Sequence, residues 1–188
     1  ITASATATVV CQSTSAQNTS LAYSATTNTP TTYKISWTST PTNSFVAVTD
    51  ATLTTSPITV TVPANTAAGT YTGTLTVKNA NGCVSNGTSF TVTVNSLPTA
   101  PISGNSSFCI GGSTVLTSNA TAGSGNISSY QWKVGGVNVA SGGTSATYTA
   151  TAAGSYTVTV TNSNGCSFTS SAYVVSVNNG LASTISVT

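Results

Sequence analysis

The sequence predicts an all-β chain of two tandem sandwich modules arranged end to end, and three observations carry the prediction. Apolar and polar residues alternate with period two through most of the chain, as in half-buried strands. No stretch shows a helical period, and Pro and Gly punctuate the alternating runs. One stretch occurs twice: Ala67-Ala68-Gly69-Thr70-Tyr71-Thr72-Gly73-Thr74-Leu75-Thr76-Val77 is echoed by Ala152-Ala153-Gly154-Ser155-Tyr156-Thr157-Val158-Thr159-Val160, and each copy runs on to Asn-Gly-Cys, at Cys83 and Cys166. A repeated strand with its following turn means a repeated module.

Composition sets what the modules can do. The chain has 188 residues, of which 2% are charged, and a net charge of +2. Lys34, Asp50, Lys78 and Lys133 are the charged side chains, with no His, Glu or Arg. So little positive charge offers neither nucleic acid nor an anionic membrane much to hold. Thr and Ser take the outward positions that charges usually occupy, and Thr is a good strand former. No apolar run is long enough to cross a bilayer as a helix, and no signal-peptide pattern opens the chain. With no Met present, Ile1 reads as a position inside a longer exported polypeptide. Four Cys in so unreactive a chain suggest disulfides in an oxidising compartment, and their spacing is too wide for paired zinc knuckles.

In the first module, residues 1–97, alternation places strands at Thr6 to Val10, at Leu21 and Tyr23, at Tyr33, Ile35 and Trp37, and at Ile58, Val60 and Val62. Pro41 to Asp50 reads as loop and edge. The Tyr71 strand and the Phe90, Val92 and Val94 strand complete it, and the Pro-containing run from Asn95 to Pro101 is a short stiff linker. The second module, residues 98–181, repeats the order: Ile102 to Cys109, Thr114 to Thr117, Tyr130 with Trp132 and Val134, Tyr148, the Tyr156 strand, and Tyr173 with Val175 and Val177. Residues 182–188 alternate again and read as the first strand of a following module.

Short strands, a Trp on the third and a Gly-x-Tyr opening the sixth fit an immunoglobulin-like β-sandwich. The Cys that in true immunoglobulin domains follows that Tyr by two residues is replaced here by Gly73 and Val158, so the usual pin between sheets is missing. Trp37, Trp132, Tyr71 and Tyr156 are expected in the cores, the tyrosines as corner residues whose hydroxyls bond backbone. Phe45, Phe108 and Phe168 have no assigned environment.

The run of Cys, Tyr-x-Trp (Tyr130 and Trp132; in the first module the spacing is wider, Tyr33-x-x-x-Trp37), Ala-Gly-x-Tyr-Thr and Asn-Gly-Cys, closed by a Val-x-Val strand, resembles the immunoglobulin-like and PKD-like repeats of large cell-surface adhesins of the Bacteroidota. The gliding-motility adhesin is among them. The resemblance implies an extracellular, cell-surface location, export by the type 9 secretion system and neighbouring modules of the same chain as partners.

Catalysis finds no footing in these residues. Asp50 is the sole side-chain carboxylate, so a general acid and base pair is missing; a triad lacks its His, and a calcium site its carboxylate ring. A Ser-Lys pairing would need Lys34, Lys78 or Lys133, all on the Thr and Ser faces. No cofactor or metal is expected. The reading is a non-enzymatic structural repeat that serves as a stiff spacer for adhesion or gliding. The alternative is a module that binds glycan or protein through loops or exposed aromatics. Ice binding by Thr rows is a more distant reading, because sandwich sheets twist.

A bridge inside each module, Cys11 to Cys83 and Cys109 to Cys166, is the obvious pairing, yet the inferred sandwich puts these partners at opposite ends. Asn162 to Ser171 is expected as a long loop with Cys166 near its tip. In an end-to-end array Cys11 could instead meet Cys166 across the junction, leaving Cys83 and Cys109 to bridge neighbouring modules.

Overall fold

The computed structural model describes residues 3–5, 8–25 and 27–179. It divides into two compact units, Ile1–Ser96 and Leu97–Thr188. Among the described residues every regular element is a strand. The expected first strand of a third module, 182–188, lies outside the described residues.

The first unit contains β1 (Ala3–Ala5), β2 (Thr8–Cys11), β3 (Gln17–Leu21), β4 (Tyr23–Ala25), β5 (Pro30–Trp37), β6 (Val48–Thr52), β7 (Ile58–Val62), β8 (Gly69–Asn79) and β9 (Thr88–Asn95). Its large sheet has the order β2-β9-β8-β5-β6 and faces the pair β3-β7, with β1 on β4. Strand β2 runs parallel to β9, Cys11 opposite Asn95. Ile35 faces Leu75 across β5 and β8, and Trp37 faces Gly73. Period-two burial is cleanest on β7, where Ile58, Val60 and Val62 are buried while Thr59 and Thr61 are exposed. These residues join Leu21, Ile35, Tyr71, Leu75 and Val92 in one core.

The second unit contains β10 (Ile102–Ser103), β11 (Ser107–Cys109), β12 (Thr114–Ser118), β13 (Ile127–Val134), β14 (Val137–Asn138), β15 (Thr147–Ala150), β16 (Gly154–Asn162), β17 (Ser167–Thr169) and β18 (Tyr173–Asn178). One sheet is β10-β12-β15 and the other β11-β18-β16-β13-β14. The single strand expected from Ile102 to Cys109 is therefore two strands, one in each sheet. Strand β11 runs parallel to β18, Cys109 opposite Asn178, as β2 does to β9. The core gathers Leu116, Trp132, Ala150, Tyr156, Val158, Val160 and Val175. Both units share a strand order in which the first strand of the large sheet lies parallel to the last, and this order makes each an immunoglobulin-like sandwich.

The long loop expected from Asn162 to Ser171 is a tight hairpin instead. Ser167, Phe168 and Thr169 return on β16, opposite Thr161, Val160 and Thr159. Asn162 Oδ1 accepts the N–H groups of Asn164 and Cys166 at 3.1 and 3.0 Å, so the turn is held by a side chain as well as by backbone. Asn79 Oδ1 does the same for Asn81 and Cys83, at 3.1 and 2.9 Å. Gly82 and Gly165, with φ of 83° and 78°, occupy the left-handed position these turns need.

Candidate functional site

Two constellations stand apart from ordinary packing: the cysteines and the surroundings of Trp37. The cysteines follow from the strand register. In the first unit Cys11 ends β2 beside Asn95, and Val94 next to it faces Gly69 at the start of β8. Cys83 lies past Asn79, at the other end of that strand of 11 residues. A strand of that length separates its ends by roughly 33 Å at about 3.3 Å per residue. In the second unit Cys109 sits opposite Asn178 beyond the Gly154 end of β16, while Cys166 lies past Asn162. The 9 residues of β16 place these ends roughly 26 Å apart. A disulfide reaches less than about 7 Å between Cα atoms, so neither unit can bridge its own pair. Cys11 and Cys166 are each disulfide-bonded. Cys83 and Cys109 are exposed free thiols, each followed by an exposed aliphatic, Val84 at 60% and Ile110 at 69%.

The two tryptophans differ. Trp132 is completely buried, because the segment after β14 folds over it. Its backbone N–H donates to the Gly143 carbonyl at 2.7 Å, its carbonyl accepts from Val139 N–H at 3.1 Å, and its indole N–H donates to Ser145 at 2.9 Å. Trp37 is only half-buried, a departure from the core position expected for it. It stacks on Phe45 with ring centroids 4.2 Å apart and meets the edge of Phe90 at 5.3 Å. Its indole N–H reaches the Val46 carbonyl at 3.3 Å. Beside it lies an open apolar slot of about 310 Å³ whose walls include Ile35, Trp37, Val48, Val60 and the rim residues Thr59 and Thr61.

Tyr71 and Tyr156 are buried. Their hydroxyls donate to the carbonyls of Ala67 and Ala152 at 2.8 and 2.7 Å. Burial, and next the neighbouring Tyr148, push the Tyr156 phenol up from its ordinary value of 10.0. Gly73, where an immunoglobulin cysteine would stand, leaves space for the Phe90 ring, since a Cβ there would lie 2.4 Å from it. Phe45 and Phe108 pack against their cores, whereas Phe168 is 42% exposed. Of the lysines expected on the outer faces, Lys78 is partly covered and pairs with Asp50 at 2.6 Å.

Ser85 and Ser170 escape sequence reading altogether. Each is buried, donates its N–H to a core strand, at Val77 and Val158, and accepts that residue's N–H on its hydroxyl. They pin the segment that leads into the last strand of each unit, β9 and β18, to β8 and β16. Nothing but a Ser beside a valine run could have signalled them. Among the described residues no group of three or more His, Cys, Asp or Glu side chains is placed to hold a metal.

Residues 95–177, which take in most of the second unit, match the family model described as PKD domain. No curated protein shows a significant match to the chain. Among solved structures, the chain is similar to the fibronectin(III)-like modules of Clostridium thermocellum CbhA, with 14% identity, all of both chains covered and a TM-score of 0.43. It is similar to the D00-D0 domain of Intimin at 14% identity, over 89% of this chain and 95% of that one, with a TM-score of 0.40. Extracellular domains 3–5 of Drosophila OTK give 16% identity, 93% of this chain, 60% of that one and a TM-score of 0.48.

Proposed function

We propose that the chain is a non-enzymatic structural segment of a large secreted cell-surface adhesin or filament, in which immunoglobulin-like repeats act as stiff spacers. The observation that supports it is the distribution of cysteines: each module carries one at either end, and neither pair can close within its module. Cys11 and Cys166 are the engaged ones, and we assign them to each other. That bridge crosses from one module to the next and limits bending between them. Cys83 and Cys109, exposed and free, are the equivalents by repeat of Cys166 and Cys11, and they serve the same purpose toward neighbouring modules. Disulfides of this kind persist in an oxidising compartment, which supports an extracellular location. Export by the type 9 route follows from the family resemblance. Non-reducing peptide mapping of the native protein tests the assignment: the expected product links Cys11 to Cys166, and recovery of Cys11 with Cys83 would overturn it.

A second reading, a module that binds glycan or protein, is favoured by the open slot beside Trp37.

A further inference from the structure

We infer that Cys109 and Cys83 are the complementary halves of one further junction: Cys109 of one two-module chain bonds Cys83 of the next, head to tail, and the partner is a second copy of this chain. The inference rests on the pairing of Cys11 with Cys166 proposed above and adds a direction to it. The four cysteines are of two kinds, set by their backbone. Cys11 and Cys109 each end a strand that runs parallel to the last strand of its unit, opposite Asn95 and Asn178. The residue after each, Gln12 or Ile110, donates its N–H to the carbonyl of that same asparagine, at 2.8 and 3.0 Å. Cys83 and Cys166 close the Asn-x-Asn-Gly-Cys turn. Each donates its N–H to the side chain of the first asparagine and accepts that asparagine's N–H on its own carbonyl, at 3.1 and 2.9 Å.

One cysteine of each kind is engaged, and one of each kind is a free thiol. The engaged pair joins the strand-end cysteine of the earlier module to the turn cysteine of the later one. Repeated geometry repeats that order, so Cys109 takes the turn cysteine of the module that follows and Cys83 the strand-end cysteine of the module before. Two copies of this chain offer each other that combination, whereas like pairs do not reproduce it. The same two places carry apolar surface. Val84 and Ile110, directly after the free thiols, are 60% and 69% exposed, and no charged residue lies within two positions of either cysteine. Taking these aliphatics out of water favours the head-to-tail encounter over a chance meeting of thiols. A contact between two different patches does not close on itself, so it extends into a filament. The bond forms by exchange with a disulfide oxidant such as oxidised glutathione. One protein thiolate displaces a glutathione thiolate to give a mixed disulfide, and the other attacks the protein sulfur and displaces the second. Two protein thiols are oxidised, one glutathione disulfide is reduced to two thiols, and the two protons pass from protein to glutathione sulfur.

The test incubates the full chain, with Cys83 and Cys109 as thiols, with oxidised glutathione and reads the products by non-reducing electrophoresis and peptide mapping. The expected result is a ladder of oligomers in which Cys83 of one copy is linked to Cys109 of another. Cys83→Ser and Cys109→Ser should each stay largely monomeric. An equimolar mixture of the two variants should form a dimer roughly tenfold faster than either by itself, the factor that removing one aliphatic side chain from water supplies. Both positions are exposed, so each variant should keep the melting temperature of the unsubstituted chain. The inference is overturned if no oligomer forms, if either variant dimerises as fast as the mixture, if like pairs are recovered as often as chance pairing gives, or if Cys83 and Cys109 close within one copy. Those results, obtained with Cys11 still linked to Cys166, leave the spacer reading standing. Recovery of Cys11 with Cys83 overturns both.

Discussion

At the scale of single residues, the same side chain at equivalent positions does unequal work. Trp132 is completely buried, so Trp132→Ala should destabilise the second unit by about 3–5 kcal/mol, the cost of emptying a large core site. Trp37 is half-buried, and Trp37→Ala should cost the first unit only about 1–2 kcal/mol, in proportion to the area it hides. Chemical denaturation of the two variants checks the difference, and equal losses would mean that the slot is closed in solution. Gly73→Ala tests the packing at the missing cysteine. With its Cβ 2.4 Å from the Phe90 ring, overpacking should destabilise the first unit by about 1–3 kcal/mol, and an unchanged melting temperature would place Phe90 elsewhere.

At the scale of elements, the turn that carries the second cysteine of each module is the feature most fully written in local sequence. Asn-x-Asn-Gly-Cys supplies a side-chain acceptor, a residue free to take positive φ and the strand return, all within five positions. Asn79→Ala removes acceptors for the N–H groups of Asn81 and Cys83. It should cost about 1–2 kcal/mol, one modest net hydrogen bond each, and speed amide exchange at Cys83. Unchanged exchange there would refute the role given to Asn79. Alternation likewise reveals which residues of β7, β8 and β16 face inward, because side chains of a strand change face at every step. Threonine rows on the outer faces meet their neighbours hydroxyl to hydroxyl, Thr159 with Thr169 at 2.8 Å and Thr161 with Ser167 at 2.9 Å. Such cross-strand pairs replace the ion pairs that a more charged protein would use. The hairpin from β16 to β17 was not legible, since Ser167 to Thr169 is too short a run for periodicity to register.

At the scale of the whole molecule, scarcity of charge governs solution behaviour. The single ion pair among the described residues, Lys78 with Asp50, has side chains 36% and 57% exposed, and pairs so placed contribute little. Stability should therefore be nearly flat from about pH 4 to 9 and insensitive to salt, because linkage requires groups whose affinity for protons changes on folding. Tyr156 is the exception at high pH. Its phenol is raised above 10.0 in the folded state, so folding favours the protonated form. That contribution is complete below the unfolded value and is lost as pH climbs through the folded one. Melting of the second unit should accordingly begin to fall only above about pH 10, and Tyr156→Phe should flatten the decline. A steep dependence near neutrality would reveal an ionisable site of another kind.

The inward faces of the longer strands and the repeat are properties of the sequence by itself, because each depends on period-two alternation, turn chemistry and duplication within a few dozen residues. The absence of acid and base partners is also plain there, since no fold can supply side chains the chain lacks. Which strands pair was decided only in three dimensions: β2 lies parallel to β9 and β11 to β18, contacts between distant segments that no local pattern encodes. The fates of Trp37 and Trp132 were decided there too. Both follow the same alternation, yet Trp132 is completely buried and Trp37 only half-buried, because burial depends on how much the rest of the chain lays over a residue.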